Sequence, residues 1–261
     1  MMNWRWKDNL LSLVYPNRCF LCQHIISQHT DSPLSQQGVE QAEYCHDCYE
    51  EVCGDLIDRC YTCGATTNIN NPSGTRCRLC RDLRLYFERA IAIGDYRGLL
   101  QQKVVQMKRQ WNDTTAIQFG KLLASLLDKF DIPENIDLIV PVPTHWTRRL
   151  QRKGFHGSYL VAEGVRKQTG WRLASGVLKL RHRTKKQGTL SIRQRYQNVK
   201  SAFTAGQPGQ QGRNSLQDMR VLLVDDVMTS GATASEASRA MIQAGAKRVF
   251  VAVVARGAGV S

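Results

Sequence analysis

The stretch Arg220-Val-Leu-Leu-Val-Asp-Asp-Val-Met-Thr-Ser-Gly-Ala-Thr233 decides the fold. Four apolar β-formers, Val221 to Val224, run into two adjacent carboxylates, Asp225 and Asp226. Small and hydroxylated residues follow, and a helical pattern then continues to Gly245. An unbroken apolar run reads as a parallel strand buried on both faces. In open α/β sheets the ligand lies at the carboxyl ends of such strands. A Thr/Ser/Gly loop that opens a helix presents free backbone N–H groups suited to a phosphate. Two carboxylates beside it suit ribose hydroxyls or a metal carried by a diphosphate.

The flanking pattern supports a mainly parallel α/β sheet with helices on its faces. Residues 89–96 read as a strand, with a helix from Gly98 through Lys108. A second helix is expected over Thr114–Phe130, closed by Pro133, because Ile117, Phe119, Leu123, Leu126, Leu127 and Phe130 form an apolar stripe. Residues 137–143 read as a buried strand stopped by prolines. The basic loop 144–157 leads to a helix over 158–169, then a short strand at 177–180. A basic loop follows at 181–189, then a helical stretch over 190–198 and a strand fragment at Ala202-Phe203. The Gly/Gln-rich segment 206–217 reads as an exposed linker. Strand 220–225, helix 232–244 and strand 247–254 complete the sheet.

The N-terminal third has a different chemistry. Four C-x-x-C knuckles stand at Cys19/Cys22, Cys45/Cys48, Cys60/Cys63 and Cys77/Cys80. Each knuckle sets two thiolates on one tight turn, and two knuckles complete a tetrahedral zinc site. Sequential pairing makes two structural Cys₄ zinc ribbons in tandem, although spacing alone leaves crossed pairing open. Cys53 is left over and is expected to be a buried small hydrophobe. Residues 3–15 have the pattern of a short amphipathic helix, and Ser27–Gln41 reads as a polar loop. The expected division is an N-terminal module over 1–86 and an α/β domain over 87–261.

Of the 261 residues, 36 are Lys or Arg and 22 are Asp or Glu, a formal net charge of +14. The excess is confined to residues 145–200, where fifteen Lys or Arg face a single acid, Glu163. Such a block is an electrostatic footprint for polyanions. No apolar run approaches the roughly 20 residues of a membrane span. The N-terminus lacks a secretory pattern, so the cysteines are expected to sit in a reducing cytoplasm as metal ligands.

Residues 221–233 resemble the phosphoribosyl-pyrophosphate (PRPP) motif of type I phosphoribosyltransferases: apolar strand, acidic pair, then T-[ST]-G-x-T. The chain as a whole resembles the bacterial ComF/GntX proteins linked to DNA uptake in natural competence. The resemblance is carried by the cysteine module, by Tyr96-Arg-Gly-Leu99 leading to Lys108, and by Val140-Pro-Val-Pro143 followed by Arg152-Lys-Gly-Phe155. It continues through Thr184-Lys-Lys-Gln187, Leu190, Arg195, Asn198, Ala202 and Phe203 to the acidic-pair motif. His156 and Gly157 depart from the family's Asn-Gln, and Lys153 stands where Arg is usual.

The resemblance implies a PRPP pocket with Mg²⁺ accompanying the diphosphate. Thr229, Ser230, Gly231, Ala232 and Thr233 would hold the 5-phosphate, and Asp225 and Asp226 the ribose hydroxyls. Arg152 and Lys153 would face the diphosphate, and Lys185 would close over it. Arg148, Arg149, Lys186, Arg193 and Arg195 are the candidates for nucleic-acid contact. Implied partners are PRPP or a related ribose phosphate, single-stranded DNA and other DNA-uptake proteins. The alternative is a metabolic phosphoribosyltransferase acting on a base or amine. The sequence assigns no catalytic residue and no acceptor.

Overall fold

Strand β5 (Arg220–Met228) lies at the centre of the fold. It pairs in parallel with β2 (Leu138–Pro141) on one side and with β6 (Arg248–Arg256) on the other. Beyond β6 lies β1 (Arg89–Asp95), again parallel, so the order is β1-β6-β5-β2. Arg172 to Ala174 extends the β2 edge: Ile139 N–H donates to Arg172 O (2.7 Å) and Ala174 N–H to Ile139 O (3.0 Å). In this computed structural model residues 18–26, 44–54, 59–67, 76–110, 113–143, 157–181, 191–206 and 216–257 are described.

Side chains alternate across the sheet, as the two-residue period of a strand requires. Val221, Leu223, Leu138, Val140, Val249 and Val251 share one core with Ala234, Ala237 and Met241 of helix α6 (Ala232–Gln243). The same core includes the antiparallel pair β3 (Leu178–Leu180) and β4 (Phe203–Ala205) and Val199 of α5 (Ile192–Val199). Helices α2 (Gly98–Gln110), α3 (Asp113–Ser125) and α4 (Gly157–Thr169) follow β1 and β2 and pack on the sheet as well. The α3–α4 crossing is backbone on backbone. A Cβ on Gly120 would lie 2.0 Å from Val161 O, and one on Gly164 would lie 2.1 Å from Ile117 O.

The elements follow the sequence pattern with local differences. Helix α3 stops at Ser125, where a helix through Phe130 is expected. A 3₁₀ turn over Asp128–Phe130 replaces its last turn and ends at Asp131 in the left-handed region (φ 48°). That turn leaves Leu126 and Leu127 both fully enclosed. Strand β5 runs three residues beyond its expected end because β6 is long enough to pair with Val227 and Met228. Helix α5 begins in a capping box between Ser191 and Gln194.

The chain divides into two compact units, 1–54 and 55–261. In the smaller, Cys19 N–H donates to His24 O (2.7 Å) in a tight knuckle. Helix α1 (His46–Cys53) starts at the second cysteine pair and buries Tyr49, Val52 and Cys53. The larger unit holds the sheet and also the knuckles at Cys60/Cys63 and Cys77/Cys80. Among the described residues no helix is long and apolar enough to cross a membrane. The amphipathic stretch 3–15, the whole 27–41 loop and most of the 206–217 linker lie outside the described residues.

Candidate functional site

The acidic pair lies on β5 just past its pairing with β2, while β6 still runs alongside, and both residues are half-buried. Asp225 turns back on the chain, and its Oδ1 accepts the Asp226 N–H at 2.9 Å. Burial, reinforced by the neighbouring Asp226 charge, pushes the Asp225 carboxyl up to about 8. Lys108, near the end of α2, donates to Asp226 Oδ2 at 2.8 Å. The pair therefore carries its own counter-cation, which also draws the Asp225 value downward.

Past Met228 the chain turns through Thr229, Ser230 and Gly231 into α6. Gly231 caps the helix at φ 79°, a left-handed conformation that favours glycine. Three successive carbonyls of this turn are held from one side. The buried Arg256 guanidinium donates from Nη1 to Met228 O (3.1 Å) and to Thr229 O. The Tyr196 hydroxyl donates to Ser230 O at 3.3 Å. Burial pushes Tyr196 up to about 12, so it remains a donor throughout the neutral range. In a planar trans peptide the N–H points opposite to the C=O. Pinning the carbonyls of 228, 229 and 230 therefore turns the N–H groups of Thr229, Ser230 and Gly231 the other way. The N–H groups of this turn lie opposite Arg256 and Tyr196 and end at a left-handed residue, the form of an anion-binding nest, with Thr229 half-buried and Ser230 and Gly231 buried.

The remaining polar atoms of the turn brace it. Ser230 Oγ accepts from Ala232 N–H (3.3 Å), and Ser235 N–H donates to Gly231 O (2.8 Å). Gly257 N–H donates to Met228 O at 2.8 Å. A Cβ at Gly257 would come within 2.9 Å of Thr229 Cγ2.

The cysteines gather into two sets, Cys19/Cys22/Cys45/Cys48 and Cys60/Cys63/Cys77/Cys80, each with its sulfurs within 4.8 Å of one another. None is in a disulfide. Four sulfurs about 2.3 Å from a tetrahedral zinc lie about 3.8 Å apart. The Sγ–Sγ distances of 3.7 Å (Cys60–Cys80), 3.5 Å (Cys63–Cys77), 3.8 Å (Cys77–Cys80) and 3.7 Å (Cys22–Cys45) match that edge. Both sets fit zinc, with knuckles paired in chain order.

Among the candidate cations, Arg148, Arg149, Arg152, Lys153, Lys185 and Lys186 lie outside the described residues. Arg193 is exposed on α5. Arg195 is 3 % exposed, so protein encloses its guanidinium and it offers no surface to a strand of DNA. Lys108, Tyr196 and Arg256 belong to the site without standing among the sequence-derived candidates. A lysine one turn before a helix end, a tyrosine in a polar helix and an arginine closing an apolar strand carry no signal of their own. Only the Tyr96-to-Lys108 segment of the family pattern touches one of them.

Residues 171–259 match the phosphoribosyl transferase domain family. The chain is 28 % identical to the DNA utilization protein YhgH of Salmonella typhi over 92 % of this chain and 96 % of that protein. The Escherichia coli protein of the same name gives the same identity and the same shares. Competence protein F of Haemophilus influenzae is 27 % identical over 69 % of this chain and 78 % of its own length. The chain is thus similar to these proteins along most of its length, and its C-terminal third matches the phosphoribosyl transferase domain. The acidic pair, the turn after it and α6 all fall inside the matched segment. So do β6, with Arg256, and α5, with Tyr196. Lys108 and all eight clustered cysteines lie N-terminal to it.

Proposed function

We propose that this chain is a cytoplasmic DNA-handling factor of the competence type, with a pocket for PRPP or a related ribose phosphate. The observation that carries the reading is the nest at Thr229–Gly231 beside Asp225 and Asp226. A 5-phosphate would accept from the outward N–H groups of that turn and from the hydroxyl of Thr233. The two carboxylates lie on the strand just before the turn and would accept from ribose hydroxyls. A divalent cation bound with PRPP would compensate charge between its diphosphate and these carboxylates. Arg152, Lys153 and Lys185 would meet the diphosphate and stabilise it as a leaving group. Lys108, ion-paired with Asp226 at 2.8 Å, would offset its charge until the sugar arrives.

The DNA part of the proposal rests on two supports. Relatives named for DNA utilization and competence match the chain along most of their length. The positive excess is concentrated in residues 145–200. Of the described cations there, Lys167, Arg172, Lys179, Arg181, Arg193 and Lys200 are exposed. Single-stranded DNA meeting such a surface releases counterions, and its affinity falls with salt at about 0.7 log units per phosphate contact per tenfold salt.

The test is a pair of titrations on zinc-loaded protein, one with PRPP–Mg²⁺ and one with a single-stranded oligonucleotide across a salt series. The proposal expects saturable PRPP binding and a log–log salt slope of about −3 or steeper, as on the order of five phosphate contacts would give. Absent or salt-independent DNA binding would remove the DNA-handling reading. In that case, release of diphosphate on adding a base or amine would establish the metabolic alternative.

A further inference from the structure

The second cysteine centre and the phosphate turn share one side chain. Arg256 is 4 % exposed and closes β6. Its Nε donates to Cys63 O at 3.0 Å. Its Nη1 donates to Met228 O, Thr229 O and Gly257 O, the last at 2.7 Å. One planar, permanently charged fork thus joins the backbone of a metal knuckle to the backbone of the anion nest. The knuckle is itself fixed to the sheet edge. Thr62 O accepts the Ala90 N–H at 2.9 Å, and a Cβ on Gly64, at φ 65°, would lie 2.7 Å from Ala90 O. Arg59 reaches Asp95 at 3.4 Å, and Thr66 Oγ1 donates to the same carboxylate at 2.8 Å.

We propose that Arg256, aided by Tyr196, is the positioning residue of the phosphate turn, and that through Cys63 it ties the shape of that turn to metal occupancy of the Cys60/Cys63/Cys77/Cys80 centre. The inference rests on the reading that the turn takes a ribose phosphate. The reasoning follows from carbonyl accounting. A nest presents N–H groups only while the carbonyls behind them are satisfied, and buried carbonyls left without donors reorient toward any available partner. Arg256 supplies the donors for two of the three. It can do so only while its Nε side is held, and the acceptor on that side is a backbone oxygen of a metal-bearing turn. A Cys₄ knuckle holds its backbone only with metal bound, because metal binding and local folding are one equilibrium. Emptying this centre therefore frees Cys63 O, lets the guanidinium rotate, leaves Thr229 O without the Arg256 donor and leaves Met228 O held by Gly257 N–H alone. The Cys19/Cys22/Cys45/Cys48 centre belongs to the other compact unit.

The test uses the full-length protein and two probes, ribose 5-phosphate for the turn alone and PRPP–Mg²⁺ for the whole pocket. Arg256→Gln is expected to keep two zinc per chain and the wild-type far-UV spectrum, yet lose at least tenfold in affinity for ribose 5-phosphate. Arg256→Lys, which keeps the charge but not the fork, is expected to lose less. Cys60→Ser with Cys77→Ser should reproduce the loss, and adding Arg256→Gln to it should cost little more, because both break one chain of contacts. Cys19→Ser with Cys45→Ser, which empties the first centre, should bind within twofold of wild type. A merely structural Arg256 would lower thermal stability while leaving the affinity of the folded protein within twofold, and that result overturns the proposal. Additive losses in the triple variant overturn it as well.

Amide hydrogen exchange decides the coupling without any ligand. The Ser235 and Gly257 amides, bonded to Gly231 O and Met228 O, should exchange at least tenfold faster when the second centre is emptied and be unchanged when the first is. If wild type binds neither probe, the functional reading fails while the exchange result still supports or refutes the link through Arg256.

Discussion

Asp225 holds a proton through the neutral range where an unconstrained carboxyl would not. Its value stands near 8 against the ordinary 3.8, with burial as the first cause and Asp226 as the second. The folded chain thus binds a proton that the unfolded chain has released, so this group favours folding fully below the ordinary value. That contribution is lost as pH rises through about 8. Asp225→Asn should accordingly flatten the decline in melting temperature between pH 5 and 8 and melt above wild type at pH 8. Differential scanning calorimetry across that range checks it, and parallel curves for the two proteins would contradict it. Lys108 acts in the opposite sense by drawing Asp225 downward. If Asp225 accepts from the ribose only when ionised, PRPP–Mg²⁺ affinity should rise with pH as it loses its proton, and Lys108→Met should shift that rise to higher pH, measured as affinity against pH. At this scale the sequence shows the candidate residues of the turn but not their supports. Asp225 to Thr233 are contiguous, so their pattern is legible in one dimension. Tyr196 and Arg256 reach the same turn from 34 and 27 residues away, and only the packed sheet brings them there.

Helices α3 and α4 meet at two glycines whose absent side chains let the backbones touch. Any side chain at Gly120 must push Val161 O aside, and backbone cannot rotate away as a side-chain tip does. Gly120→Ala is expected to cost about 2–4 kcal/mol, in the range of overpacked cores, read as a shift in urea midpoint at constant slope. A change below about 0.5 kcal/mol would show that the helices separate freely. Element identity was legible where periodicity was strong, as in β5, α6 and β6. Boundaries were less so, because partners set them: β5 gains Val227 and Met228 from β6, and the edge segment at Leu173 exists only because β2 offers a free side. The knuckle pairing was open on spacing and is resolved by which sulfurs converge.

For the whole molecule, two cysteine centres fall in two different compact units, and only the second belongs with the sheet. Chelation should therefore not act as one event. A strong chelator is expected to release zinc in two phases, and ribose 5-phosphate affinity should track only the phase assigned to the second centre by the cysteine variants. Stopped-flow zinc release followed by binding would show it; a single phase with unchanged affinity would count against it. Charge at this scale was readable from composition, since segregation of the excess into one window needs no structure. Which cations face a ligand was not readable, as Arg195 shows by being enclosed. The proposed function requires backbone N–H groups of the turn after β5 to grip a sugar phosphate. The most direct measurement follows the amide resonances of Thr229, Ser230 and Gly231 by ¹⁵N-resolved NMR as PRPP–Mg²⁺ is added. The account predicts large downfield proton shifts at these three amides, lost in Asp226→Asn if the ribose no longer docks. Saturating PRPP–Mg²⁺ that leaves all three resonances unmoved would contradict it.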